Sequence, residues 1–168
     1  INKFRKWVSQ FYSEPIQNWF LAKVHFFYST MNAGKSTALL QSNYNYNERG
    51  MDTLVFLPKV DADLNNGKIH SRIGLTANAH SVDTDFDFFN FVSQEKMKRS
   101  ISCILIDEVQ FLNKEQIRQV CKVSDELNIP AMCYGIRTDF QGKLFEGSSE
   151  LLALADNLIE LKTVCDCG

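Results

Sequence analysis

The chain has 168 residues and a formal net charge of −2, from 18 basic and 20 acidic side chains. With 45% apolar and 23% charged residues, its balance is that of a soluble globular domain and excludes a disordered, collagen-like or membrane-spanning chain. A domain of this size buries roughly 70% of the surface it exposes when unfolded, so a core needs neither disulfides nor metal; the near-neutral charge argues against general nucleic-acid binding, which needs a net basic face.

Residues 1–21 stand apart as an N-terminal extension. Phe4, Trp7, Val8 and Phe11 fall at helical spacing among Lys3, Arg5 and Lys6 until Pro15 interrupts the run. This is the pattern of an amphipathic basic transit or surface helix, or of an extension without function. Ile1 in place of a methionine leads us to expect a piece of something longer. No window reaches the eighteen or so apolar residues of a membrane span, and the expected location is the cytoplasm.

From residue 22 to 162 the chain reads as one α/β domain. Val24–Tyr28 is a continuously apolar run, as in a strand buried on both faces. Ser29-Thr30-Met31-Asn32-Ala33-Gly34-Lys35-Ser36 follows as a loop, then a helix from Thr37 to Arg49 closed by Gly50. Thr53–Leu57 is a second strand, ended by Pro58. Residues 59–85 show no clear periodicity and are expected to form a long loop with one short strand pair. Ile101–Ile106 is another buried strand and runs straight into Asp107-Glu108. Asn113 and Gln116 look like a helix capping pair, and Ile117, Val120, Cys121, Ser124 and Leu127 form the face behind it. A strand at Pro130–Gly135, a short helix at Ser148–Ala155 and a last strand at Leu158–Leu161 complete the alternation. Such alternation implies a parallel sheet flanked by helices.

The five cysteines divide into two kinds. Cys103, Cys121 and Cys133 lie in apolar runs and are expected in the core, whereas Cys165 and Cys167 are flanked by polar residues near Gly168. An odd count of this kind suits a reducing compartment better than a disulfide framework.

Gly34-Lys35-Ser36 between a buried strand and a helix is the strongest chemical signal, although Ser29 stands where such a loop usually has its first glycine. Backbone N–H groups and a helix N-terminus there can surround a phosphate, Lys35 can reach the β- and γ-phosphates, and the Ser36 hydroxyl can bind Mg²⁺. Asp107-Glu108 is the second signal, two carboxylates at the end of a strand, where parallel sheets bind ligands. Asp107 suits the metal-holding role of P-loop enzymes, which leaves Glu108 to orient a nucleophile. A free glutamate titrates near ~4.3 and is a feeble base for an alcohol, but a loose phosphoryl-transfer transition state needs little early deprotonation. Two motifs alone leave open an ATPase acting on water, a kinase acting on an alcohol, and a nucleotide-binding module without a reaction.

The string from Phe27 to Gln41, with Asp107-Glu108-Val109-Gln110-Phe111-Leu112 and Tyr134-Gly135-Ile136-Arg137-Thr138-Asp139-Phe140, resembles the thymidine kinases built on a RecA-like P-loop domain with a zinc-bearing lobe, the bacterial branch above all. The likeness runs from Val24 to Gly168. It implies transfer of the γ-phosphoryl group of ATP to the 5′-hydroxyl of thymidine or deoxyuridine, with Mg²⁺, in a homotetramer without nucleic-acid or membrane partners. By the same resemblance Glu108 is the general base. Residues 29–37, from Ser29 through Ala33 and Gly34 to Thr37, together with Asp107, Gln110 and Arg72, belong to the ATP site. Ser36 and Asp107 serve Mg²⁺. Met31, Phe111, Ile136, Phe140 and Phe145 enclose the base, although such residues could equally be core. Cys165 and Cys167, within residues 163–168, resemble the first half of a structural Zn²⁺ site whose second half is not in this sequence. Two ligands alone would hold zinc weakly.

Overall fold

The structure is a computed structural model, and it describes residues 22–31, 33–64 and 67–162. The expectations for residues 1–21, Asn32, Cys165 and Cys167 lie outside the described residues.

Val24–Tyr28 forms β1, Asp52–Pro58 β2, Ile101–Ile106 β6, Ala131–Gly135 β7 and Asn157–Glu160 β8. Two short strands, Lys68–His70 (β3) and Thr76–Asn78 (β4), pair as an antiparallel hairpin, and His80–Val82 is β5. The main sheet has six strands in the order β5-β2-β6-β7-β1-β8, every pair parallel. The helices are α1 (Lys35–Glu48), α2 (Lys59–Leu64), α3 (Phe88–Lys98), α4 (Lys114–Leu127) and α5 (Glu146–Leu154).

The apolar runs read from the sequence are strands because both of their faces are covered. Leu54, Phe56, Ile104, Ile106 and Cys133 meet Phe88, Val92, Ile117, Val120 and Leu151 from α3, α4 and α5. Val55, Leu57, Cys103, Leu105 and Tyr134 meet Leu39 and Leu40 of α1, Ala62 of α2 and Ile69 of the hairpin. Cys103, Cys121 and Cys133 are buried free thiols, as expected. The Asn113–Gln116 pair is a complete capping box: each side chain accepts from the other residue's backbone N–H, at 2.9 and 3.1 Å.

Three expectations are corrected. Helix α1 begins at Lys35, two residues before Thr37, because Gly34 takes a left-handed turn (φ 75°) and its carbonyl already accepts from Ala38. Pro58 does not stand outside its strand; it is the last residue of β2, opposite Val82, where a missing N–H costs least. Residues 59–85 do hold the expected short strand pair, the β3–β4 hairpin, but are not otherwise a long loop, since they also form α2 and the edge strand β5. The sequence reading assigned nothing to residues 86–100, yet α3 lies there, with the Asp87 carboxylate accepting from the Asn90 N–H at 2.9 Å.

A 3₁₀ turn, Val109–Phe111, follows β6 and packs under the first turn of α5. A Cβ at Gly147 would overlap the carbonyl oxygen of Val109 and come 2.8 Å from that of Leu112. Alanine gains up to about 1 kcal/mol in helix propensity, but overpacking against rigid backbone costs about 1–3 kcal/mol. Gly147→Ala is therefore expected to lower the thermal midpoint by roughly 2–8 °C, read by thermal denaturation; an unchanged or higher midpoint would refute the close packing.

Candidate active site

The loop between β1 and α1 and the end of β6 lie at the same edge of the sheet, separated by β7. Ser29 N–H donates to the Gly135 carbonyl at 3.3 Å, which ties the start of the loop to the end of β7. Lys35 and Ser36 open α1, whose first-turn N–H groups lack partners within the helix and favour anions. The Lys35 side chain is buried, and its ammonium donates to the Thr30 carbonyl at 2.9 Å. Burial lowers its pKa, while the charges of Glu108 and Asp107 oppose that shift.

Asp107 is 2% exposed, and its Oδ1 accepts from the Glu108 N–H at 3.0 Å. Burial, and then the charge of Glu108, push its carboxyl up to about 6; hydrogen bonds from the Ser36 hydroxyl and the Glu108 N–H, and the charge of Lys35, pull the other way. Against a value near ~3.9 in the unfolded chain, the folded form binds more protons between these two values. The group thus favours folding fully below about pH 4 and loses that contribution as pH rises through about 6. At pH 7 its ionisation works against the fold. Asp107→Asn, which keeps the Oδ1 acceptor, is expected to raise the thermal midpoint at pH 7 by a few degrees without Mg²⁺ or nucleotide. The gain should fade towards pH 4, and a lower midpoint at pH 7 would contradict it.

Glu108 occupies the left-handed region (φ 47°, ψ 39°). Asn128, the other non-glycine residue there among those described, caps α4, where that conformation is ordinary. Glu108 precedes the 3₁₀ turn Val109–Phe111 as its N-cap, a place that ordinarily takes extended backbone, and its side chain makes no capping bond; such backbone strain costs about 1–3 kcal/mol and gathers at functional sites. Its carboxylate accepts from the Gln110 side-chain amide at 2.5 Å, and the Gln110 carbonyl oxygen accepts from the Ile136 N–H at 3.2 Å.

The structure brings Lys35, Ser36, Asp107, Glu108, Gln110 and Ile136 together. Ser29, Thr30, Ala33, Gly34 and Thr37 belong to the same loop and first helical turn. Phe111 and Phe145 meet edge to face with ring centres 6.0 Å apart, half-exposed and partly buried respectively. Met31 and Phe140 are exposed, at 73% and 95%, so neither is a core residue. Arg72 is exposed in the turn between β3 and β4. Sequence reading missed Asp61, in α2, whose pKa rises through burial and then through the charge of Glu108; α2 thus carries a third carboxyl towards the acidic pair. An acidic residue in the first turn after Pro58 was the available signal. It also missed Arg137, whose guanidinium lies over the Tyr28 ring at 4.8 Å. Among the described residues no group of three or more His, Cys, Asp or Glu gathers to hold a metal, and no helix is long and apolar enough to cross a membrane.

The family model described as thymidine kinase matches residues 22–168. A thymidine kinase from Coxiella burnetii is 57% identical over 149 residues, covering 88% of this chain and 76% of that protein. One from Photorhabdus laumondii is 55% identical over 148 residues, 88% of this chain and 74% of that protein. One from Rhodopirellula baltica is 54% identical over 148 residues, 88% and 70% respectively.

Proposed function

The chain belongs to the thymidine kinase family, and from that premise we propose that it moves the γ-phosphoryl group of ATP onto the 5′-hydroxyl of thymidine or deoxyuridine with the residues at the C-terminal edge of its sheet. The observation that carries this reading of the site is the meeting of three parts: a buried lysine on a helix-opening loop, a serine hydroxyl bonded to a buried aspartate, and a strained glutamate beside them.

ATP lays its phosphates in the loop from Ser29 to Thr37, where backbone N–H groups at the start of α1 receive them. The Lys35 ammonium leaves the Thr30 carbonyl for the phosphate oxygens, a stronger acceptor. Arg72 reaches the phosphates from the β3–β4 turn. Ser36 and Asp107 suit Mg²⁺, which takes one or two protein oxygens and completes its shell with phosphate and water; when bound, it neutralises phosphate charge. Glu108 accepts a hydrogen bond from the 5′-hydroxyl, orients it in line with the γ-phosphorus, and takes its proton as the new O–P bond forms, while the bond from the γ-phosphorus to the β,γ-bridging oxygen breaks and ADP leaves with that electron pair. Met31, Phe111, Ile136, Phe140 and Phe145 offer apolar and aromatic surface to the flat pyrimidine.

Cys165 and Cys167 supply two soft ligands of the kind structural zinc prefers, and we assign them to that metal on the family resemblance, as the first half of its zinc site. A homotetramer in the cytoplasm belongs to the same reading, supported by family membership, and sedimentation of the purified protein checks the assembly. The central test is transfer of labelled γ-phosphate to each common nucleoside. Label in thymidine and deoxyuridine monophosphates is the expected result, and hydrolysis of ATP that thymidine does not alter would replace this reading with that of an ATPase.

A further inference from the structure

By resemblance Gln110 belongs to the ATP site, but its contacts point elsewhere. It is 3% exposed, and both ends of its carboxamide are engaged by protein groups: Nε2 donates to Glu108 Oε2, and Oε1 accepts from the Ile136 N–H. This orientation of the amide is the only one that works, because a carboxylate only accepts and a backbone N–H only donates. The peptide that follows is held too, since the Ile136 carbonyl accepts from the hydroxyl of Ser148, which is fully buried in α5. Gly135 makes room for the arrangement. A Cβ there would come 2.6 Å from Gln110 Oε1 and 2.8 Å from the Val109 side chain.

We propose that Gln110 is a positioning residue for phosphoryl transfer: its buried carboxamide fixes the Glu108 carboxylate and ties it to the Ile136 peptide on the wall that receives the nucleoside. Glu108 is only partly buried and sits on strained backbone, so without a second anchor its carboxylate would swing among rotamers. Gln110 supplies that anchor from a side chain that cannot move, because β7 closes over it. The bridge also gives the nucleoside a route to the base. A ligand pressing on Ile136 acts, through one peptide and one carboxamide, on the group that must hold its hydroxyl. The inference rests on Glu108 being the base.

A double-mutant cycle on the phosphotransfer assay tests it with Glu108→Gln, Gln110→Met and both together. Gln110→Met is expected to lower kcat about 10- to 100-fold, the scale of a misplaced catalytic group, with KM for ATP within about twofold. In the Glu108→Gln background it should add almost nothing, because the group it positions is already lost. A merely structural role would give losses that multiply and would raise KM for ATP as well; either result overturns the proposal. A fully active Glu108→Gln removes the base assignment and this inference with it. An inactive Glu108→Gln beside a fully active Gln110→Met removes this inference alone. A second measurement does not depend on Gln110→Met folding. In ¹⁵N-labelled protein the Gln110 carboxamide protons should exchange with water at least about tenfold faster once Glu108→Ala takes away the charged acceptor, and an unchanged rate overturns the proposal.

Discussion

Glu108→Gln is expected to cut turnover by about 10²- to 10⁴-fold, the usual range for removing a general acid or base, while ATP binding by calorimetry stays within about twofold. The size of the effect follows from what the substitution keeps and what it loses. Glutamine has the same length and can still meet Gln110 through its own carbonyl oxygen, so the backbone at φ 47° and the turn behind it have no reason to move. It cannot take a proton, and its neutral oxygen is a weaker acceptor for the 5′-hydroxyl. On the proposed reading ATP binding is spared, because the phosphates would meet the loop from Ser29 to Thr37 instead. A loss of one negative charge beside Lys35 and Asp107 even eases the approach of a triphosphate, since Glu108 raises the pKa of Asp107 and opposes the downward shift of Lys35. Turnover within threefold of wild type would rule out Glu108 as the base.

Much of this arrangement was readable from residue type because burial on two faces leaves a strong mark on composition. Val24–Tyr28 and Ile101–Ile106 are apolar but for His25 and Ser102, so their ends, and hence the loop at Lys35 and the pair at Asp107-Glu108, could be located to within a residue. The Asn113–Gln116 box was legible for a local reason: it is closed by groups three residues apart. In the region from 59 to 100 only a short strand pair was legible, since the rest of its order comes from elsewhere. The three residues of β5 are held by pairing with β2, and α3 by Phe88 and Val92 reaching the sheet beside Phe56, whose ring meets Phe88 edge to face at 5.1 Å. Gln110 shows the same limit within the site. Its place two residues beyond Glu108 was visible, but its bond to Ile136, twenty-six residues away, exists only because β7 lies beside β6. The strain at Glu108 was likewise invisible, because a positive φ at glutamate has no compositional signature.

Lys35→Met is expected to lower kcat/KM for ATP by at least about 10²- to 10³-fold, the cost of removing one charged donor aimed at developing negative charge, with both a higher KM and a lower kcat. Methionine matches the length and apolar stem of lysine but supplies no donor and no charge. The loss therefore falls on the phosphates in both ground and transition states, unlike that at Glu108. Two opposing terms decide the effect on stability. Burying an ammonium is costly, as its lowered pKa records, and methionine removes that cost. Yet Lys35 is also the cation that offsets Asp107 and Glu108, and without it the Asp107 carboxyl must rise above its value of about 6. A neutralised aspartate relieves the second penalty by taking up a proton, so the first effect wins, and the thermal midpoint of Lys35→Met should be at or above that of wild type near pH 6. Lys35→Arg keeps the charge but brings a planar fork into a space shaped for a single ammonium at the Thr30 carbonyl, and it should recover only part of the lost activity. If Lys35→Met bound ATP and turned over within threefold of wild type, the phosphates would have to lie somewhere other than the loop that begins α1.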